Sequence, residues 1–320
     1  MPIGETDDPV RVVIDETSFD FRNLNLQAIA GHLSDFNEAF LTLRDEGTTP
    51  RKSIMLEEIE CTDDQCLFEY LTSGPGNQLD PDVRHLFMGL IGKCPEWDDA
   101  APVGRADVTI DGGEPATAFS AEFALLCASR RQGVACLVFG ACPRRQYLPV
   151  RSPVAEARVF FFAYAAELKT FWRSLYLLEA VGEAAFFSLA ARSFPDLVFH
   201  PDLNLGRFEG SYRDLLPEVV RHLSVLNDHF LDVHQAKNGL PHDIEAALGA
   251  LGCAGISPES PNTHRDEKKM RSRDVHYEGE TLRCEWHSKL EPHRNRIHFY
   301  FGGQLGDKVL IGIFVDHLPT

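Results

Sequence analysis

Thr281-Leu282-Arg283-Cys284-Glu285-Trp286-His287-Ser288-Lys289-Leu290 reads as a β-strand, and its alternation decides the fold expected for the C-terminal part of the chain. Side chains alternate across a strand. Leu282, Cys284 and Trp286 therefore share one side, and Arg283, Glu285, His287 and Lys289 the other. Two more β-rich runs follow, at 294–301 and 308–317. The glycine-rich stretch Gly302-Gly303-Gln304-Leu305-Gly306-Asp307 between them suits a hairpin loop. In the second run Ile297, Phe299 and Phe301 point one way, and Arg296, His298 and Tyr300 the other. The third is apolar on both sides, and Gly312 is expected to leave room above the sheet where a substrate approaches. The expectation is an antiparallel sheet of about three strands, with one apolar face and one face of ionisable groups.

A solvated strand needs only Thr, Ser, Lys and Glu, whereas this face gathers Glu285, His287, Lys289, Arg296, His298 and Tyr300. Metal-independent cleavage of an RNA phosphodiester calls for that set. One group takes the proton of the 2′-hydroxyl, another protonates the leaving 5′-oxygen, and fixed cations neutralise the phosphoryl oxygens. Histidine suits the proton transfers and Arg or Lys the oxyanion role. The expected roles are Glu285 or His298 as base, His287 as acid, and Arg296 and Lys289 on the phosphate, with Tyr300 stacking a base or orienting the phosphate. His293, Arg294 and His317 at strand ends are second-rank candidates. A plain salt-bridged outer face is the bland alternative. The spacing Cys284-x2-His287-x5-His293-x4-His298 is superficially zinc-like, but parity puts Cys284 and His287 on opposite faces. No metal and no cofactor are expected.

This part of the chain resembles the RelE/ParE-like toxins, small metal-independent ribonucleases built on a similar sheet. The residues carrying the likeness are Cys284-Glu285-Trp286-His287-Ser288-Lys289, Asn295-Arg296-Ile297-His298-Phe299 and Val309-Leu310-Ile311-Gly312-Ile313-Phe314, about 50 of the 320 residues. The resemblance implies an RNA-cleaving toxin of the kind used in phage defence, with RNA, and in some cases the ribosome, as its target. A protein that inhibits or activates it is a further implied partner. Those toxins are about a third of this length, so the larger first part has no counterpart among them.

Charge divides the chain in the same place. Residues 265–320 hold 10 basic and 9 acidic side chains, net +1, and the preceding 264 hold 21 and 39, net −18. The loop-like stretch Gly255-Ile256-Ser257-Pro258-Glu259-Ser260-Pro261-Asn262-Thr263 lies at the junction. The sequence thus suggests an acidic sensor or partner-binding domain over 1–262 and a sheet domain over 263–320, with the acidic part covering the basic face until released.

The first part reads as mixed α/β, which with the tail makes an α+β protein. Strands are expected at 10–14, 106–110, 134–139 and 157–164. Helices are expected at 25–45, 65–72, 81–91, 117–131, 167–192, 212–235 and 241–251. On the first helix Ile29, Leu33, Phe36, Phe40 and Leu43 share a face. Val12-Val13-Ile14-Asp15-Glu16-Thr17-Ser18, an apolar strand ending in Asp, resembles the first strand of PIN-type nucleases and makes Asp15 a candidate metal ligand in a rival, metal-dependent nuclease reading. Glu179 and Glu183, one helical turn apart, read as a structural ion-pair site. Asp228 and Asp232 read as a solvated helix end, and the pairs Arg130-Arg131 and Arg144-Arg145 as charge balance.

Net charge −17 excludes a uniformly basic nucleic-acid coat. No Walker A, GxGxxG after a strand, HExxH or GxSxG occurs. The eight cysteines form no CxxC pair and several sit in apolar runs, as reduced core thiols of a cytoplasmic protein do. The acidic start, Met1-Pro2-Ile3-Gly4-Glu5, lacks a signal-peptide core, and no apolar run approaches a bilayer span. A non-enzymatic sensor or scaffold that docks a partner on the polar sheet face is the alternative from another functional class.

Overall fold

The structure, a computed structural model, describes residues 9–97 and 107–319. The N-terminal stretch read above as free of a signal peptide, and the first residue of the strand expected at 106–110, lie outside the described residues. The fold is α+β, and the chain forms two compact units, Met1–Phe171 and Trp172–Thr320. The division therefore falls well before the proline-rich loop near 255–263.

The first unit is built on β1 (Val12–Ile14), β2 (Thr109–Ile110), β3 (Ala135–Leu137), β4 (Gln146–Arg151) and β5 (Glu156–Phe162), in the order β1-β3-β5-β4-β2. β1, β3 and β5 are parallel, and β4 and β2 close one side antiparallel. Parallel strands are covered on both faces and so read as unbroken apolar runs. Val-Val-Ile, Ala-Cys-Leu and the end of β5 are indeed buried throughout. Around the sheet lie α1 (Leu26–Asp45), α2 (Leu67–Thr72), α3 (Pro81–Gly92) and α4 (Phe119–Ser129). α1 starts where the Asn25 side chain accepts from the Ala28 amide at 2.8 Å. Its five expected apolar residues, Ile29 to Leu43, are all buried. α5 (Leu168–Leu178) runs across the division between the units.

The helix expected at 167–192 ends instead at Leu178. Ala180 adopts a positive φ of 50°, and the chain resumes as a 3-10 helix at Glu183–Ser188 and then α6 (Ala190–Ser193). Glu179 and Glu183 are consequently not on one helical face. The second unit continues with β6 (Leu197–Phe199), α7 (Tyr212–Ala236), α8 (Pro241–Ala250), β7 (Ile256–Pro258), α9 (Pro261–His264) and α10 (Glu267–Arg271). It ends with β8 (Asp274–Tyr277), β9 (Glu280–Arg283), β10 (Trp286–Lys289), β11 (Arg296–Phe301) and β12 (Val309–Val315). The sheet order is β6-β12-β11-β10-β7, with β8 and β9 a separate hairpin. The antiparallel trio expected from sequence is present as β10, β11 and β12, flanked by two three-residue strands that join the same sheet.

One face of this sheet is buried with α7. Ile297, Phe299, Val309, Ile311 and Phe314 share a core with Val219, Leu223, Leu226 and Phe230. His222 of α7 meets Ser288 of β10 at 2.5 Å. Residues 263–320 thus hold only part of a core, which Leu197 and α7 complete. Asp228 is not at a solvated helix end: Arg173 grips it through two N–H groups at 2.5 and 3.0 Å.

The long strand read at 281–290 is broken at Cys284-Glu285. Residues before the break pair with β8, and those after it with β11 and β7. Parity does not survive such a break. Cys284 packs with Val275, Leu282 and Leu310 instead of joining Trp286 in the α7 core. Gly312 lines a pocket, as the expected room above it requires, but along its own Cβ direction lies the Cys284 sulfur, on which a Cβ would overlap. Gly312→Ala is therefore expected to cost about 1–3 kcal/mol in chemical denaturation. The double variant Gly312→Ala/Cys284→Ala should recover most of that loss. No cost in the single variant would refute this packing.

Candidate functional site

β10 and β11 pair in register, with His287 opposite His298 and Lys289 opposite Arg296. Directly opposed residues of an antiparallel pair point to the same face, so these four lie together, away from α7. The two imidazole rings are 5.3 Å apart between centroids. Two residues that strand parity does not identify complete the group. Glu259 follows β7, its amide held by the Glu285 carbonyl at 2.8 Å, and Arg273 precedes β8, its carbonyl accepting from the Cys284 amide at 2.9 Å. The Arg273 Nε lies 2.8 Å from the Glu259 Oε1, and the same oxygen is 3.6 Å from the His287 Nδ1 and 3.7 Å from the His298 Nδ1.

The cluster is buried: Arg273 and His298 are 0% exposed, His287 5% and Arg296 8%. Burial, assisted by the surrounding cations against Glu259, pushes the His287 imidazolium down to about 4, and burial next to His287, Arg273 and Arg296 holds His298 well below its ordinary value. Both rings are therefore neutral at pH 7. Neither nitrogen of His287, nor Arg273 Nη2, nor Arg296 Nε, has a hydrogen-bond partner among the described residues, and the His298 ring faces the Cys284 backbone.

Of the six residues expected on this face, the structure brings together His287, Arg296 and His298, with Lys289 at their edge. It separates the other two. Glu285 and Tyr300 line a different pocket of about 260 Å³ with Arg283 and Trp286. Glu259 thus stands where the sequence reading placed Glu285. Of the second-rank candidates, Arg294 is exposed and paired with Glu291 at 2.8 Å.

Glu259, His287 and His298 offer three ligand atoms within 4.8 Å of one another, a spacing at which one metal ion fits. Electrostatics weigh against it. Arg273, Arg296 and Lys289 bring three positive charges against the two of Glu259 and Asp316, which faces Arg296. With neutral imidazoles the group already carries an excess of one positive charge. A divalent cation raises that excess to three in a poorly screened interior, whereas an anion cancels it. Cys284 is no zinc ligand candidate, since burial pushes its thiol up to about 12 among apolar neighbours.

In the first unit Asp15 is fully buried. Its Oδ2 pairs with Arg144, and its Oδ1 accepts from the Thr17 hydroxyl at 2.8 Å and the Thr17 amide at 3.1 Å. Both oxygens are engaged within the protein, unlike those of a metal-binding aspartate awaiting its ion. Arg145 donates to the carbonyls of Gly140 and Cys142, so the 144–145 pair braces this unit rather than merely balancing charge.

No family model matches the chain, and comparison with curated proteins and with solved structures yields no match. No described helix is long and apolar enough to cross a membrane.

Proposed function

We propose that the second unit is a metal-independent endoribonuclease whose centre is Glu259, Arg273, His287, Arg296 and His298, acting as a toxin of the phage-defence type. The observation that carries this reading is the convergence of two arginines and two histidines around one carboxylate, with unpartnered buried donors on Arg273, Arg296 and His287. A buried donor left without a partner costs about 1–3 kcal/mol, and a phosphate oxygen satisfies several at once. Of the four donors, Arg296 and His287 keep residual exposure and receive the phosphate, with Arg273 and His298 beneath. A neutral imidazole takes the 2′-hydroxyl proton, the 2′-oxygen attacks phosphorus, and the bond to the 5′-oxygen breaks. Glu259 stabilises the imidazolium formed, which hands its proton to the departing 5′-oxygen. The bound phosphate raises the depressed histidine pKa toward neutrality and so makes that return possible. The eight unpaired cysteines suit a reducing compartment, and we place the protein in the cytoplasm.

Incubation of the full chain with RNA in EDTA is expected to yield 2′,3′-cyclic phosphate ends. Arg296→Ala and His287→Ala should each lower the rate by about 10²–10⁴-fold. Cleavage that requires added metal would transfer the chemistry to a Glu259–His287–His298 metal site. An inert protein that captures a partner would favour the sensor reading, which the complete burial of Arg273 and His298 also suits.

A further inference from the structure

Beside the cluster, on the same sheet face, lies a pocket of about 330 Å³. Its walls come from the loop after β6, the start of β8 and the end of β12. Two independent links put it next to the phosphate-binding groups. Ser272 and Asp274, which line it, flank Arg273 in the chain. Ile313 and Val315, which also line it, are the register partners of His298 and Arg296, so their side chains share that face at one strand's spacing.

We propose that this pocket binds the base of the nucleotide whose phosphate rests on Arg296, and that the base is guanine. The inference rests on the phosphodiester reading of the neighbouring cluster and deepens it. The volume is at the lower end for small-molecule sites, enough for one ring system and not for a dinucleotide. The lining is amphipathic, as a base requires, with Ile313 and Val275 against a ring face and Asp274, Asn204 and Arg207 for its edge. Asp274 accepts from Arg283 at 2.7 and 3.2 Å, one bond to each oxygen, and each oxygen retains a lone pair. A carboxylate accepts the adjacent N1–H and N2–H of guanine, and a guanidinium donates to its O6 and N7. Cytosine and uracil present no matching pair. The wall is held in place beforehand. The Asp202 amide donates to His200 Nδ1 at 3.2 Å, which leaves the hydrogen on Nε2 to bond the His276 carbonyl at 3.0 Å.

Calorimetric titration of the full chain with 3′-GMP and 3′-CMP tests the assignment without requiring turnover. The expected result is binding of 3′-GMP at least about tenfold tighter than 3′-CMP. Arg207→Ala should abolish that preference, and because the side chain is exposed the fold is expected to tolerate its loss. Arg296→Ala should weaken both nucleotides equally and leave the preference intact. Asp274→Asn, which retains a bond with Arg283, should also lose the preference. Equal binding of the two nucleotides, or a preference unmoved in Arg207→Ala and Asp274→Asn, would overturn the guanine pocket while leaving the nuclease reading standing. Absence of both nucleotide binding and RNA cleavage would remove both.

Discussion

Arg273→Met is expected to lower the stability of the second unit by about 3–5 kcal/mol, the cost of stranding a buried charge. Arg273 is completely buried, its Nε lies against Glu259, and its Nη1 donates to the Lys269 carbonyl at 2.8 Å and the Ser272 hydroxyl at 2.9 Å. Methionine fills similar space and removes every one of these bonds. The carboxylate of Glu259 then sits between two neutral imidazoles, with Arg296 and Lys289 as the remaining cations of the group. Removing both charges is a different experiment. Glu259→Leu/Arg273→Met deletes the pair together, and buried pairs so replaced are often near neutral. Urea denaturation of the two single variants and the double variant yields the coupling. Additive losses would show that the two side chains do not act on one another, and the assembly of the site would have to be redrawn.

The second large effect is a pH response of opposite sign in the two units. His287 and His222 are both pushed down from 6.5 to about 4, mainly by burial. Between pH 6.5 and 4 the unfolded chain binds protons that these folded rings refuse. Stability of the second unit is therefore full above 6.5 and falls as pH drops toward 4, by about 3 kcal/mol for each ring. Glu16 behaves the other way. Burial, then the neighbouring Asp15 charge, raises it from 4.5 to about 7, although both its oxygens accept from the Ser120 amide. Its contribution is full below pH 4.5 and is lost as pH rises to 7, again by about 3 kcal/mol. Hydrogen exchange read by mass spectrometry follows each unit separately. Wild type minus Glu16→Gln should isolate the first slope, and wild type minus His222→Asn part of the second. Parallel slopes in the two units would contradict these burial assignments.

The half of the site carried by regular backbone was legible in the sequence. Within β10 and β11 the two-residue period holds, so His287, Lys289, Arg296 and His298 share the face that alternation assigns them. Glu259 and Arg273 lie just outside strands, where no period says which way a side chain points. The parity argument failed at Cys284 for the same reason, because a two-residue break resets the count. Three-residue strands such as β6 and β7 are too short to show any alternation. β4 contains Pro149, ordinarily a sign against a strand, and tolerates it beside the two-residue β2 at the sheet edge. The reading of 167–192 as one helix followed its apolar spacing and overlooked Gly182, just beyond the residue where the backbone turns left-handed.

The parallel pairing of Leu197 with Val309 has a consequence for how the protein is made. During translation β6 leaves the ribosome long before its neighbour β12 exists, and β7 likewise waits for β10. Distant pairings of this kind close late. His287, Arg296 and His298 also follow Glu259 and Arg273 in the chain, so a nascent chain that ends before them carries no complete cluster.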